Sequence, residues 1–87
     1  MANNIGMAEI PISLSQVKRY ISRLADKKVQ VTQNLGRNKF ITFLGRLSGV
    51  YHALFTIEPF DKKFRGRTAY SYSDFICGKV RVIEKTD

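Results

Sequence analysis

The sequence predicts a mainly β domain with an N-terminal helix, built as a small five-stranded barrel of the SH3-like or Sm-like type. Three observations support this prediction: a capped amphipathic segment near the start, a change to period-two alternation from Val29 onward, and glycines that interrupt the apolar runs. Short strands at close spacing with glycine kinks are typical of a partly open barrel. A helix packed on a five-stranded antiparallel sheet that does not close is the alternative.

The helix is expected to begin at Ser13. Gln16 follows three residues later, which is the spacing of a capping box. Residues 1–12 are expected to be a flexible lead-in, and residues 13–87 a single domain. Apolar side chains recur at helical spacing and form a narrow stripe, as in a helix that lies on a sheet; they are Leu14, Val17, Ile21 and Leu24.

Alternation and turn residues predict the first two strands. Residues 29–32 alternate valine with polar residues, and residues 34–38 hold a glycine between two asparagines, all of which tolerate positive φ. Residues 40–47 are predicted to form the second strand, in which Gly45 indicates a bend or a bulge. Residues 48–49 are expected to turn the chain.

Two tyrosines mark the fourth predicted strand. Tyr70 and Tyr72 alternate with small residues, so both rings are expected on one face. They either fill the core with bonded hydroxyls or form an exposed aromatic platform, and the small polar opposite face favours the core. The later strands are predicted at 51–58, 68–72 and 80–84, with a hairpin tip at 59–66 and a capped helical turn at 73–76 that ends at Gly78.

Length and cysteine content limit the class of protein. A chain of 87 residues allows one small domain. A lone cysteine, Cys77, argues against a secreted disulfide scaffold. The N-terminus has no signal-peptide pattern, and the longest apolar run, at 50–57, is too short to cross a bilayer. We therefore expect a cytoplasmic protein that does not insert into a membrane.

The sequence lacks the motifs of catalysis and cofactor binding. One histidine and one cysteine cannot build a metal site of the His/Cys type, and no phosphate-binding glycine loop is present. Glu58 and Asp61 are interpreted as residues of a solvated turn, His52 as a structural histidine, and Cys77 as a small buried side chain. The sequence therefore predicts no enzyme, no metal and no cofactor.

The charge is strongly basic and unevenly distributed. Fifteen lysines and arginines against seven acids give a net charge of +8. The cations form two tips and one helix face, which either contact phosphates or keep a small protein soluble. Phe64 either stacks on a base or packs back under its loop. The candidate contact residues are Lys18, Arg19, Arg23 and Lys27 on the helix, Arg37 and Lys39 in the first tip, and Lys62, Lys63, Phe64, Arg65 and Arg67 in the second.

Four segments of the chain form a recognisable set when taken together. They are Gly36-Arg37-Asn38-Lys39, Gly45-Arg46-Leu47, Tyr51 with Phe55-Thr56-Ile57, and Tyr70-Ser71-Tyr72-Ser73-Asp74-Phe75-Ile76. The set resembles the Veg family of small bacterial proteins, and the resemblance runs from about Leu14 to Val82. It implies an SH3-like barrel with an N-terminal helix, no enzymatic activity, and a role in regulating gene expression linked to biofilm formation.

Three functions follow as hypotheses, and the third is an accessory of the ribosome or the nucleoid whose charge only concentrates it near polyanions. The first is a regulatory protein that binds a protein partner, because short strands with exposed edges accept a partner strand. The second is a small basic barrel that binds RNA or DNA directly through its two tips. Edge strands also leave homo-oligomer formation open.

Overall fold

One long central strand organises the fold. The computed structural model describes residues 13–86, so the lead-in expected at residues 1–12 lies outside the described residues. The five strands form one antiparallel sheet in the order β4-β3-β2-β1-β5, curled into a half-barrel. The predicted class, mainly β with an N-terminal helix, is confirmed. The elements are α1 (Leu14–Arg23), β1 (Lys28–Gly36), β2 (Lys39–Val50), β3 (Leu54–Pro59), β4 (Ala69–Ser71), α2 (Tyr72–Ile76) and β5 (Val80–Glu84).

Helix α1 begins as its sequence predicts. The Ser13 side chain accepts a hydrogen bond from the Gln16 N–H, and the Gln16 side chain accepts one from the Ser13 N–H. This reciprocal box satisfies two backbone donors that have no partner within the helix. Leu14 departs from the predicted stripe, because it lies in the first turn and remains half exposed. The other three stripe residues, Val17, Ile21 and Leu24, are buried.

Strands β1 and β2 are joined by a two-residue turn. Arg37 and Asn38 have φ angles of 53° and 63°, and Gly36 has 86°. Positive φ at both central positions gives the turn a twist that matches the flanking strands. The turn predicted at residues 34–38 is confirmed, although it is Arg37 and not Asn34 that takes the left-handed conformation.

Strand β2 belongs to both halves of the sheet. It pairs with β1 along its first part and with β3 along its second. Ser48 is the extra residue of a bulge, since Leu47 and Gly49 face neighbouring residues of β3. A bulge increases local twist and lets a strand curl without reversing. The turn predicted at residues 48–49 is therefore wrong, and the chain reverses instead at residues 51–53.

Gly45, at which the sequence predicts a bend or a bulge, is not the bulged residue of β2. It pairs regularly with Val29 of β1 and Pro59 of β3, so the irregularity of β2 lies three residues further on. A Cβ atom at Gly45 would lie 2.6 Å from the carbonyl oxygen of Glu58. The glycine thus permits close approach of two backbones at the centre of the sheet.

One cluster of buried side chains joins α1, α2 and all five strands. Tyr70 and Tyr72 are both in this core, which confirms the favoured interpretation of the two rings. The Tyr70 hydroxyl donates to the Arg67 carbonyl and the Tyr72 hydroxyl to the Tyr51 carbonyl, each at 2.6 Å. Buried phenols are stable because these hydroxyls are hydrogen-bonded.

Helix α2 begins one residue earlier than predicted. Ser71 caps it, and the Asp74 carboxylate accepts from the Ser71 N–H in return. This cap ends β4 after three residues, so Tyr72 is the first residue of the helix. The prediction that the fourth strand continues to Tyr72 is wrong for this reason. Gly78 follows the helix with a φ of 79°, which a glycine adopts without strain.

The two outer edges of the sheet are each bonded to a side chain. The Tyr20 hydroxyl of α1 donates to the Val82 carbonyl of β5 at 2.7 Å. At the opposite end, the Arg67 Nε donates to the Ala69 carbonyl of β4 at 2.8 Å. Such contacts protect strand edges that would otherwise pair with other chains.

Candidate binding cleft

An apolar cleft of about 470 Å³ opens beside β2 where β3 ends. Strand β3 stops at Pro59, which faces Gly45, so the earlier residues of β2 extend past it. The chain then leaves the sheet through Phe60, whose N–H donates to the Leu44 carbonyl at 3.1 Å. The cleft is lined by Thr42, Phe43, Leu44, Phe60, Asp61 and Phe64.

The backbone of β2 is open along this cleft. Odd-numbered residues of β2 bond toward β1, as when the Leu47 N–H donates to the Lys27 carbonyl. Even-numbered residues bond toward β3, as Leu44 does, because antiparallel ladders alternate in this way. Phe40 and Thr42 therefore direct their N–H and C=O groups past the end of β3. Within residues 13–86, neither makes a backbone hydrogen bond on that side.

Three phenylalanines shape the cleft. The rings of Phe43 and Phe64 lie 4.2 Å apart between centroids, and Phe64 is half-buried against the core. Phe64 thus packs back under its loop, which is one of the two placements that the sequence left open. Phe60 presents the exposed ring, with 52% of its surface accessible. The aromatic surface available to a partner therefore belongs to Phe60.

Five exposed cations stand in the two chain segments that adjoin the cleft, two in the β1–β2 hairpin and three in the loop after β3. Lys39 lies three residues along β2 from Thr42, a distance of about 10 Å in a strand. Lys62 directly follows Asp61, whose carboxylate accepts the Lys63 N–H at 2.9 Å. In the part of the chain that the structure describes, none of these cations pairs with an acid. They are Arg37, Lys39, Lys62, Lys63 and Arg65.

The helix cations predicted as contacts lie elsewhere. Helix α1 contributes no residue to the cleft. Lys18 lies over the Tyr72 ring, with its Nζ 5.5 Å from the centroid, and Lys27 pairs with Glu84 at 3.7 Å. These helix cations therefore do not line the cleft. Arg19 and Arg23 are both exposed on α1.

Arg67 is tied into the fold. Its guanidinium contacts the Asp74 carboxylate at 2.6 Å and lies 5.0 Å from the centre of the Tyr70 ring. Together with the bond to Ala69, these contacts fix the end of the loop that follows β3. Of the four cations in the second basic tip, Arg67 therefore has a structural role, whereas the other three make no ion pair with an acid within residues 13–86.

The Asp74 carboxyl is held in its ionised form. Burial by itself raises the pKa of Asp74, but the Ser71 N–H bond and the Arg67 guanidinium outweigh it. The pKa of Asp74 consequently lies below its ordinary value. The carboxylate therefore caps α2 and anchors the loop at the same time.

Three residues considered for chemistry have structural or surface positions. Glu58 accepts hydrogen bonds from Nε and Nη2 of Arg46. It lies in strand β3, so the prediction that it belongs to a turn is wrong. His52 is exposed and borders a smaller hollow between α1 and α2. Cys77 is exposed at the end of α2, so the prediction of a buried cysteine is wrong. The short helix ends on the protein surface and leaves its C-cap side chain outside the core.

Sequence reasoning did not identify the strand residues of the cleft. Residues 40–44 are apolar or threonine on both faces of β2, whereas a half-buried strand alternates with polar residues. That pattern could have indicated an exposed apolar surface. The sequence does not show that β3 ends beside these residues, because the position of that end depends on the register in which β3 pairs with β2.

No group of three metal-ligating side chains lies together among residues 13–86. Of the helices in the described part of the chain, none is long and apolar enough to cross a bilayer.

No curated protein matches the chain. The family model described as biofilm formation stimulator VEG matches residues 12–83, which include α1 and all five strands except the end of β5. With most of its length matched, the chain belongs to the VEG family of biofilm formation stimulators.

Proposed function

We propose that the protein regulates gene expression linked to biofilm formation without enzymatic activity, by binding a regulatory protein at the cleft beside β2. The single observation that carries this proposal is an apolar cleft next to a strand edge that has no partner strand among residues 13–86. Exposed apolar patches rimmed by polar residues mark protein-binding sites, and open strand edges accept partner strands.

Phe60 is the residue to change first. Its ring is half exposed and borders the cleft, so Phe60→Ser removes contact surface without disturbing the core. Tyr51→Ser is the matched control, because Tyr51 is 58% exposed and lies outside the cleft. The two variants thus remove similar exposed aromatic surface at different places.

The experiment compares biofilm formation in cells that carry each variant in place of the natural protein. We expect Phe60→Ser to reduce biofilm formation and Tyr51→Ser to leave it unchanged. Capture of partners from lysate, with and without nuclease, accompanies this assay. Loss of every captured protein on nuclease treatment would contradict a direct protein contact.

Direct nucleic-acid binding is the second candidate function. The observation that favours it is the set of five exposed cations without acidic partners in residues 13–86. If four or five phosphates are contacted, log K against log [salt] has a slope of roughly −3 to −5. Titration of single-stranded RNA and duplex DNA measures this slope.

A triple variant tests the second candidate. Replacing Lys62, Lys63 and Arg65 by alanine is expected to make the slope of log K against log [salt] less negative, by up to about one for each phosphate contact removed. Arg67 is left in place, because it is part of the fold. Binding that is unchanged in the triple variant would exclude the second tip as the contact surface.

A further inference from the structure

We propose that the cleft takes an extended, acidic segment of the partner protein, which adds to the sheet as a strand beside Phe40 and Thr42 of β2. This inference rests on the proposed function, since it specifies the chemistry of the protein partner. It concerns the backbone edge and the flanking charge, in addition to the exposed ring of Phe60.

The backbone edge selects an extended peptide. Phe40 and Thr42 each offer one donor and one acceptor, spaced about 7 Å apart, which is the two-residue repeat of a strand. A peptide strand satisfies both kinds of group. A phosphate backbone offers acceptors only and would leave the two carbonyls unbonded. The edge therefore favours a peptide over a phosphate backbone.

The cleft selects an apolar side chain within that peptide. Phe60 and Phe64 come from the loop after β3, and β2 supplies an apolar wall that includes Phe43. Thr42, Leu44 and Asp61 complete the lining. A volume of about 470 Å³ accommodates a large side chain. Because side chains of a strand alternate between faces, every second residue of the added segment can be apolar.

The surrounding charge selects acidic residues in the other positions. The hairpin contributes Arg37 and Lys39, and the loop contributes Lys62, Lys63 and Arg65. Five cations against one acid, Asp61, give this region a net charge of +4. Complementary charge speeds association and sets partner choice more than it adds affinity.

Amide exchange measured by NMR on the full chain tests the inference. The probe is a heptapeptide in which glutamate alternates with valine and a central phenylalanine. We expect saturating peptide to slow hydrogen exchange of the Phe40 and Thr42 amides about tenfold or more, because these N–H groups then donate to carbonyls of the added strand. Exchange rates unchanged by bound peptide would overturn the proposed strand pairing.

Two control peptides separate the backbone from the charge. Methylation of alternate peptide nitrogens removes ladder donors and is expected to weaken binding about tenfold or more. Replacing glutamate by lysine is expected to abolish binding. Equal binding of either control would contradict the inference.

Two protein variants complete the test. Lys62→Glu with Lys63→Glu is expected to weaken peptide binding at least about tenfold at low salt. The control is Lys79→Glu with Lys85→Glu, which changes the net charge equally at two exposed residues outside the cleft. If the control variant weakens peptide binding equally, the effect comes from the net charge of the protein and not from the cations near the cleft, which would contradict the inference.

Other occupants give different results. Protection of Phe40 and Thr42 by a single-stranded oligonucleotide, and not by the peptide, would assign the edge to nucleic acid. Protection that rises with protein concentration alone would assign it to a second copy of the chain. Either result overturns the acidic segment. The proposed function is judged separately: it stands if Phe60→Ser reduces biofilm formation and the captured protein partner survives nuclease treatment.

Discussion

Gly45 is a position where a single added side-chain atom, a Cβ, is expected to destabilise the fold. An added Cβ meets the Glu58 carbonyl oxygen at 2.6 Å and the Ile57 Cγ2 at 2.8 Å. We expect Gly45→Ala to lower the free energy of unfolding by about 2 kcal/mol or more, because the backbone of β3 must move. Urea denaturation measures the change.

Gly49→Ala is the matched control for this prediction. Its Cβ meets the Tyr51 ring at 2.5 Å, but that ring is an exposed side chain that can rotate away. We expect a loss below about 1 kcal/mol, since alanine is otherwise tolerated in strands better than glycine. Equal losses at the two positions would show that backbone contact at Gly45 is not the cause.

Asp74 makes stability depend on acidity. Its carboxyl has a lowered pKa in the folded protein, so the unfolded chain binds more protons as the pH falls. This contribution is fully present above the ordinary aspartate value, about 3.9, and is lost as the pH falls through the folded pKa. We expect Asp74→Asn to be less stable than the natural chain at pH 7. Below the folded pKa the difference should narrow, as measured by urea unfolding across pH.

The environment of single residues was only partly predictable. The spacing of Tyr70 and Tyr72 puts both rings on one face of the strand but does not say whether that face is buried. The small polar residues on the opposite face predict burial of the two rings, which is correct. Phe64 and Phe60 are indistinguishable by composition, because each stands beside charged residues in one loop. Only the contact between Phe64 and Phe43 decides which ring is buried.

At the scale of elements, the bond from α1 to β5 can be measured. Tyr20→Phe removes the hydroxyl that donates to the Val82 carbonyl. We expect a loss of about 1 kcal/mol in the free energy of unfolding, the typical contribution of one such hydrogen bond. Tyr51→Phe is the control, because its hydroxyl makes no hydrogen bond within residues 13–86 and its ring is exposed. An unchanged free energy of unfolding in Tyr20→Phe would contradict a stabilising role for this hydrogen bond.

Helix starts and alternating strands were predictable because they depend on neighbours in the chain. Ser13 with Gln16 is visible as a pattern, and so is valine alternation in β1. The bulge at Ser48 was not predictable, since it depends on how β2 pairs with a strand that follows later. The turn expected there was inferred from residue types alone, and strand pairing overrides that preference.

At the scale of the whole molecule, one core implies one cooperative unfolding transition. Phe55 is fully buried and its ring lies 5.9 Å from Tyr70 and 5.7 Å from Tyr72, between centroids. Phe55→Ala is expected to cost about 3 to 5 kcal/mol. A domain of 87 residues has a total stability of roughly 4 to 13 kcal/mol, so this loss is a large fraction of it.

Thermal unfolding followed by circular dichroism and by NMR checks this prediction. Helical and strand signals should disappear together, at a lower temperature than in the natural chain. Phe40→Ala is the control, because Phe40 is 59% exposed and outside the core cluster. Two separate transitions would contradict a single cooperative core.

The charged part of the candidate site could be predicted, and its apolar part could not. Clusters of cations at residues 37–39 and 62–65 are read directly from the chain. The cleft between them exists because β3 is shorter than β2, which no local pattern specifies. Arg67 looked equivalent to its neighbours in the sequence, but the position of Asp74 makes it a structural residue.

The exposed thiol at the end of α2 gives the molecule a single chemical handle. Cys77 is the one cysteine of the sequence and is not among the residues that line the cleft. A maleimide dye will therefore label each molecule once, and peptide titrations can be followed by fluorescence without engineering a new attachment point. The same accessibility means that storage without a reductant can join two molecules through a disulfide.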